Sequence, residues 1–321
     1  GWISTANAIG YLVGAIVALK CIPMFGAGRV FNVGMVVTAL SILASGLTGD
    51  LLLLTIFRIF AGVGGAPVFI AGGVLASALF ANHPERNALS IAVYFGGTGM
   101  GMLLAGLGIP LVLAYWGATA WPHTWLGLGI ASLIGLFVTF WSVKAVDDAP
   151  QAKPSNEHHN DIPMSRVMPG LVAYFLFGVG YFVYMTFLVA WMRAAGEGVG
   201  LVVSTWSALS IMVVFAPFIW RRVLALSNGG GAMALAMIAI GLATLSPMLF
   251  RGATGMLLSA VLFGAAFSMI PTAVTSFIKK NYPQQGWGKA VSLFTVFFAT
   301  GQIIGPTAAG FVADGPARPV P

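Results

Sequence analysis

Ten stretches of this chain stay apolar long enough to cross a hydrocarbon layer, and few folds accommodate that. Read between charged or Gly/Pro-rich breaks, they run approximately over 2–20, 30–48, 52–80, 88–115, 125–145, 168–192, 201–220, 230–249, 253–278 and 290–313. At a rise of about 1.5 Å per residue each can span a core ~30 Å thick. Inside lipid every backbone N–H and C=O needs an internal partner, so such runs fold as helices. A mean hydropathy of +0.95 with 7% charged residues lies outside what a soluble globular domain tolerates. The expected fold class is an all-α polytopic membrane protein. Pro67, Pro110, Pro217, Pro271 and Pro306 fall inside the runs and supply kink sites.

Ten crossings put alternate gaps on opposite sides, and the basic residues then sort. One side holds Lys20, Arg29, Arg86, Lys144, Lys153, Arg166, Arg221, Arg222, Lys279, Lys280 and Lys289; the other holds Arg193, Arg251 and Arg318. The excess of Lys and Arg makes the first side cytoplasmic and leaves Gly1 and Pro321 outside. Topology therefore accounts for the net charge of +7, and nucleic acid is not an expected partner. The longest gap, 146–167, carries Asp147, Asp148, Glu157 and Asp161 among prolines, a linker composition. Its His158 and His159 read as a solvated linker rather than a metal site, since metals need spaced, rigid ligands. Cys21, the single cysteine, excludes an internal disulfide. No metal or cofactor is expected. A chain that begins at Gly1 in an apolar stretch, with no Met and no charged leader, reads as one lacking its natural start.

Gly97, Gly101, Ala105 and Gly106 recur as Gly301, Gly305, Ala309 and Gly310, each 204 residues on. At the same shift Pro67 falls on Pro271 and Trp2 on Trp206. The third run then maps on the ninth, the fourth on the tenth and the first on the seventh, a period of six helices. An even period keeps both copies facing the membrane the same way. The fifth and sixth runs lack partners at this shift, so the full set is expected to be twelve helices, with one before residue 1 and one after residue 313. The expected domains are 1–145, a linker over 146–167, and 168–321. Parallel six-helix halves are the architecture of the major facilitator superfamily.

The motifs resemble that superfamily. Leu54-Thr-Ile-Phe-Arg58-Ile-Phe-Ala61-Gly62-Val-Gly64-Gly65-Ala66 is similar to its fourth-helix signature L-x-x-x-R-x-x-q-G-x-g-a-a, with Ala61 departing. Gly301-Gln-Ile-Ile-Gly305-Pro306-Thr-Ala-Ala309-Gly310 resembles the glycine-proline motif of its antiporters. That motif usually marks the fifth helix, where this chain has Met102 in place of proline. The loop motif G-x-x-x-D-R-x-G-R-R is matched at Gly26 and Arg29, but Pro23 stands where the aspartate belongs. Tyr174-Phe-Leu-Phe-Gly178-Val-Gly180-Tyr181 and Gly10-Tyr-Leu-Val-Gly14 resemble the YbfB/YjiJ-like branch. The resemblance covers the whole chain as family helices two to eleven.

Several residues are candidates for binding or coupling. Arg58 is the one charge well inside a span, ~9 Å deep. A buried intramembrane arginine faces a cavity or partner, or only fastens helices; the resemblance associates this position with proton movement. Tyr174, Phe177, Tyr181 and Tyr184 recur at spacings of three, four and three on one helical face. Such a wall suits a neutral or amphipathic solute, or is aromatic packing. Asn7, Tyr94, Thr272, Thr275 and Gln302 are polar groups within spans, each needing a partner or water. Gly97, Gly101, Gly301 and Gly305, with Pro306, read as helix-packing surfaces that could also serve gating. All eight acidic residues fall in loops or at helix ends, so coupling uses a carboxylate elsewhere, another group, or none.

The expected function is secondary transport of a small organic solute by alternating access between two halves. The alternative is a polytopic receptor, scaffold or membrane-embedded enzyme. His83 and His123 sit in loops like the other two histidines, which disfavours an enzyme, and no nucleotide loop of the G-x-x-x-x-G-K-[ST] type appears. Expected partners are the bilayer, a small-molecule solute and, as a candidate coupling ion, protons. The chain is expected to be monomeric and to lie in a plasma membrane, of the bacterial inner-membrane kind.

Overall fold

With no water to satisfy it, an apolar segment closes its backbone on itself, and a computed structural model of the chain follows that rule throughout. It describes residues 2–80, 83–147, 164–250 and 252–313. The helices are α1 (Trp2–Phe25), α2 (Ala27–Ser45), α3 (Leu51–Ala78), α4 (Pro84–Trp116), α5 (Trp121–Asp147), α6 (Met164–Ala194), α7 (Val199–Leu226), α8 (Gly231–Leu249), α9 (Ala253–Phe267), α10 (Met269–Asn281) and α11 (Trp287–Ala313). No strand occurs among the described residues. Ten spans are long and apolar enough to cross a membrane, α9 and α10 together forming one of them. Most of the linker, with His158 and His159, lies outside the described residues.

The ends of the helices follow from local chemistry. A single residue, Gly26, joins α1 to α2 at φ 83°, a conformation that glycine adopts without a Cβ clash. Asp50 caps α3 by accepting from the Leu53 N–H at 2.9 Å, so this loop carboxylate has a structural duty. Lys280 reaches from α10 to the end of α7, where its Nζ donates to the carbonyls of Leu224, Ala225 and Ser227 at 3.1, 2.9 and 2.6 Å. These are the carbonyls that a helix end leaves unpaired.

The ninth run, expected as one helix over 253–278, is broken instead. Pro271 has no N–H to bond the Phe267 carbonyl, and the chain turns at Ser268 between α9 and α10. Packing elsewhere is set by glycines. A Cβ on Gly10 would lie 2.0 Å from the Ile59 carbonyl oxygen, and one on Gly62 would lie 2.2 Å from that of Asn7. Only hydrogen-sized side chains let α1 and α3 approach this closely, which replaces the hydrophobic drive that lipid removes. Gly99 likewise meets the Ser210 carbonyl, bringing α4 onto α7, and Gly288 meets Ile22, bringing α11 onto α1.

The two glycine ladders differ in their surroundings. Gly301 and Gly305 press α11 on α6, where a Cβ would lie 2.3 Å from the Phe175 oxygen and 2.6 Å from the Val179 oxygen. Nothing lies within 4 Å of the Cβ positions of Gly97 and Gly101. The earlier ladder faces open space.

Candidate functional site

Helices from before and after the 146–167 gap converge on a cavity of about 240 Å³. From the N-terminal side α1 contributes Asn7, Ala8 and Tyr11, α3 contributes Phe69, and α4 contributes Phe95 and Thr98. From the C-terminal side α6 contributes Tyr174, Phe177, Tyr181 and Phe182, and α11 contributes Phe298 and Gln302. The break between α9 and α10 brings Phe267, Ser268 and Pro271 to the same wall. Of four larger hollows, those of about 560, 650 and 400 Å³ are lined only by residues before 146, and one of about 250 Å³ only by residues after 166.

The cavity is walled by rings. On the α6 and α11 side Tyr174, Phe177, Tyr181 and Phe298 lie 5.0 to 5.9 Å apart with planes inclined by only 18 to 26°. Facing them, Tyr11 meets Phe69 edge-on at 6.3 Å, and Phe69 lies 4.9 Å from Phe95. The polar groups are uncharged. Asn7 donates its Nδ2 to the Arg58 carbonyl at 3.0 Å, which leaves its amide oxygen. Among the described residues no hydrogen bond engages the hydroxyls of Tyr11, Tyr174 and Tyr181 or the Gln302 carboxamide. The buried Ser268 hydroxyl has no partner either. Pro306 lies four residues after Gln302 and removes the helical donor that its backbone carbonyl would use.

Further along the same helices, toward their basic end, Thr275 stands against Gly73 of α3 and Ile22 against Gly288 of α11, while Thr272, Thr275 and Ile278 are buried. This end of the bundle carries Arg29, Arg86, Lys280 and Lys289 and is the basic end of the molecule.

The candidates named from the sequence thus separate. Asn7, Tyr181 and Gln302 line the cavity together, with Tyr174 and Phe177. Tyr184 lies outside its lining: its hydroxyl shares a 2.9 Å hydrogen bond with Ser259, and its ring stacks on Phe263 at 4.0 Å. Tyr94 donates to the Val68 carbonyl at 2.8 Å and fills the space over Gly72. Thr272 bonds back to the Ser268 carbonyl at 2.7 Å, inside its own helix break. Thr275 is outside the lining as well, buried against Gly73 of α3. Arg58 is away from the cavity lining. It is 7% exposed, its guanidinium carbon lies 4.3 Å from the centre of the Trp125 ring, and its Nε and Nη2 have no acceptor.

Sequence reasoning missed Tyr11, Phe69, Phe95, Thr98, Ser268 and Phe298. Their spacing carries no signal, because they come from five places in the chain. Pro271 was a usable pointer to Ser268, since a proline frees backbone and breaks helices three to four residues upstream.

Comparisons with known proteins bear on the family and the fold. Residues 1–317 match the family profile described as uncharacterised MFS-type transporter YbfB. The uncharacterized MFS-type transporter YceJ of Bacillus subtilis (strain 168) is 25% identical over 197 residues, which is 60% of this chain and 49% of that protein. The chain thus spans about half the length of the curated relative it matches. Among solved structures the human organic anion transporter MFSD10 superposes with a TM-score of 0.73 at 14% identity, covering 97% of this chain and 77% of that one. The E. coli fucose:proton symporter FucP gives 0.67 at 16% identity, over 98% and 84%. The proton:xylose symporter XylE bound to 6-bromo-6-deoxy-D-glucose gives 0.68 at 14% identity, over 96% and 79%. At such identities the likeness is one of fold.

Proposed function

The chain belongs to the YbfB-type transporter family of the major facilitator superfamily, and on that premise we propose that it is a secondary transporter of a small organic solute. The observation that carries the reading is the cavity at the seam of the two repeat copies, with unpaired polar groups between aromatic walls. Residues 1–145 and 168–321 act as two halves that rock about it, with 146–167 as their tether. The basic end is cytoplasmic by charge bias, so the conformation described is the one closed to the cytoplasm. Opening there requires Thr275 to leave Gly73 and Ile22 to leave Gly288.

The open ladder of Gly97 and Gly101 supports a helix packed on α4 as α6 packs on α11, in line with a twelve-helix arrangement. Arg58 then serves coupling or anchoring beside Trp125, with protons as the coupling ion. The fucose:proton and proton:xylose symporters share this fold, which supports protons in that role.

The test is accumulation by the full-length protein in proteoliposomes incubated with a metabolite extract and read by mass spectrometry. At least one solute should be retained above protein-free liposomes, and collapse of an imposed pH gradient should change that retention if protons couple. Identical contents in both liposome types would sink the transport reading and leave the receptor or scaffold one.

A further inference from the structure

We propose that the cavity is built for an uncharged, planar ring solute whose hydrogen-bonding groups lie on the ring edge. This rests on the transport reading and names the class of its cargo.

Three observations converge. The first is a shared plane. Tyr174, Phe177, Tyr181 and Phe298 come from two helices, yet every stacked contact among them is inclined by 18 to 26°. Aromatic pairs satisfy their quadrupoles either offset-stacked or edge to face, and the same rings meet Phe182, Phe267 and Phe294 at 31 to 63°. Among these four rings the offset-stacked form prevails, and a flat solute can extend such a stack without disturbing it. The ring pair Phe69 and Phe95, from α3 and α4, lines the same cavity.

The second is the chemistry at the cavity's edges. Tyr11, Tyr181 and Gln302 offer donors and acceptors that no protein group engages among the described residues. Left dry they are costly, so a bound solute that meets them gains what water would otherwise supply. They are all uncharged. A carboxylate or ammonium placed among rings and neutral amides would give up its hydration for partners that cannot balance its charge. A neutral carbonyl, hydroxyl or ring N–H matches them.

The third is size. A volume of about 240 Å³ lies below the range of drug-sized sites. It holds one ring or two fused rings, and stacking alone can anchor such a body, as aromatic side chains do for nucleic-acid bases.

The experiment uses the full-length protein in lipid nanodiscs and equilibrium dialysis with four labelled probes. Uracil and 4-hydroxybenzyl alcohol are planar and uncharged, D-glucose is uncharged and puckered, and benzoate is planar and charged. The planar neutral probes should bind about tenfold tighter than the other two, the scale of one stacked ring. Tyr181→Leu should cost about tenfold for those probes, whereas Tyr181→Phe, which keeps the ring, should cost about threefold or less. Gln302→Leu gives an independent reading of the edge contacts, with weaker uracil binding expected. Tighter binding of glucose or benzoate, absence of binding by both planar neutral probes, or equal losses in the two Tyr181 variants would each overturn the assignment. Such failures are separable from failure of transport itself. If proteoliposomes accumulate a charged or puckered solute, the transporter reading stands and this cargo class falls.

Discussion

At Arg58 a charge is held in an apolar setting by one aromatic face, with two guanidinium nitrogens left without acceptors. A cation over a desolvated ring is worth about 2 kcal/mol, less than burying an unpaired ion costs. Arg58→Met should therefore leave thermal stability within about 1 kcal/mol of wild type or raise it. If Arg58 serves coupling, the same variant abolishes gradient-driven accumulation. A lower melting temperature with transport intact would instead mark a helix fastener. Tyr184 has the opposite character, since its hydroxyl is paired with Ser259 and its ring with Phe263. Tyr184→Phe should cost about 1 kcal/mol of stability, read by thermal unfolding in detergent, and leave solute affinity unchanged. The aromatic periodicity of α6 was legible in the sequence. That Tyr181 turns to the cavity and Tyr184 to Ser259 was not, because both share one helical face and the neighbouring helices decide.

At the scale of the element, the repeated ladders are equal in sequence and unequal in environment. Gly305→Leu forces a side chain into the Val179 backbone, and Gly97→Leu enters open space within this chain. The first should therefore cut yield and lower the stability of the chain by about 3 kcal/mol, the upper part of the range for overpacked cores, and the second by less than about 1. Equal losses for the two variants, measured on residues 1–321 themselves, would show that α4 is covered. The Lys280 clasp makes a second element-scale prediction. Lys280→Met leaves the carbonyls of Leu224, Ala225 and Ser227 without their shared donor. A loss of about 1.5–3 kcal/mol is expected, the scale of a hydrogen bond to a charged group. Helix ends of this kind are only partly legible in sequence. A lysine near a helix end is visible, but the helix it caps, 55 residues upstream, is not.

At the scale of the molecule, charge bias assigns the basic end to the cytoplasm. With Cys21→Ser as background, a cysteine at Asn228 should react with an impermeant maleimide from the cytoplasmic side only, and one at Glu197 from the outside only. The reverse pattern would invert the topology and the assignment of the closed gate. Ten crossings, their alternation and the six-helix period are properties of hydropathy and spacing, so they could be read along the chain. The cavity is different, since its ring walls pair α6 with α11 and face α3 and α4.

What the sequence by itself determined is the solvent and the periodicity. Backbone groups must pair internally in lipid, so apolar length dictates helices; basic gaps and a recurring ladder give only the expected sidedness and the expected two copies. What only the tertiary structure decided is which of several equivalent polar and aromatic groups face one another. Asn7, Tyr181 and Gln302 meet across the seam, while Arg58, Tyr94 and Tyr184 are satisfied or held elsewhere. The reason is physical: a helix fixes the angle between its own side chains, but the rotation of each helix in the bundle is set by its contacts with the others. Here those contacts are glycine against backbone, and a glycine shows its partner only when the partner is in place.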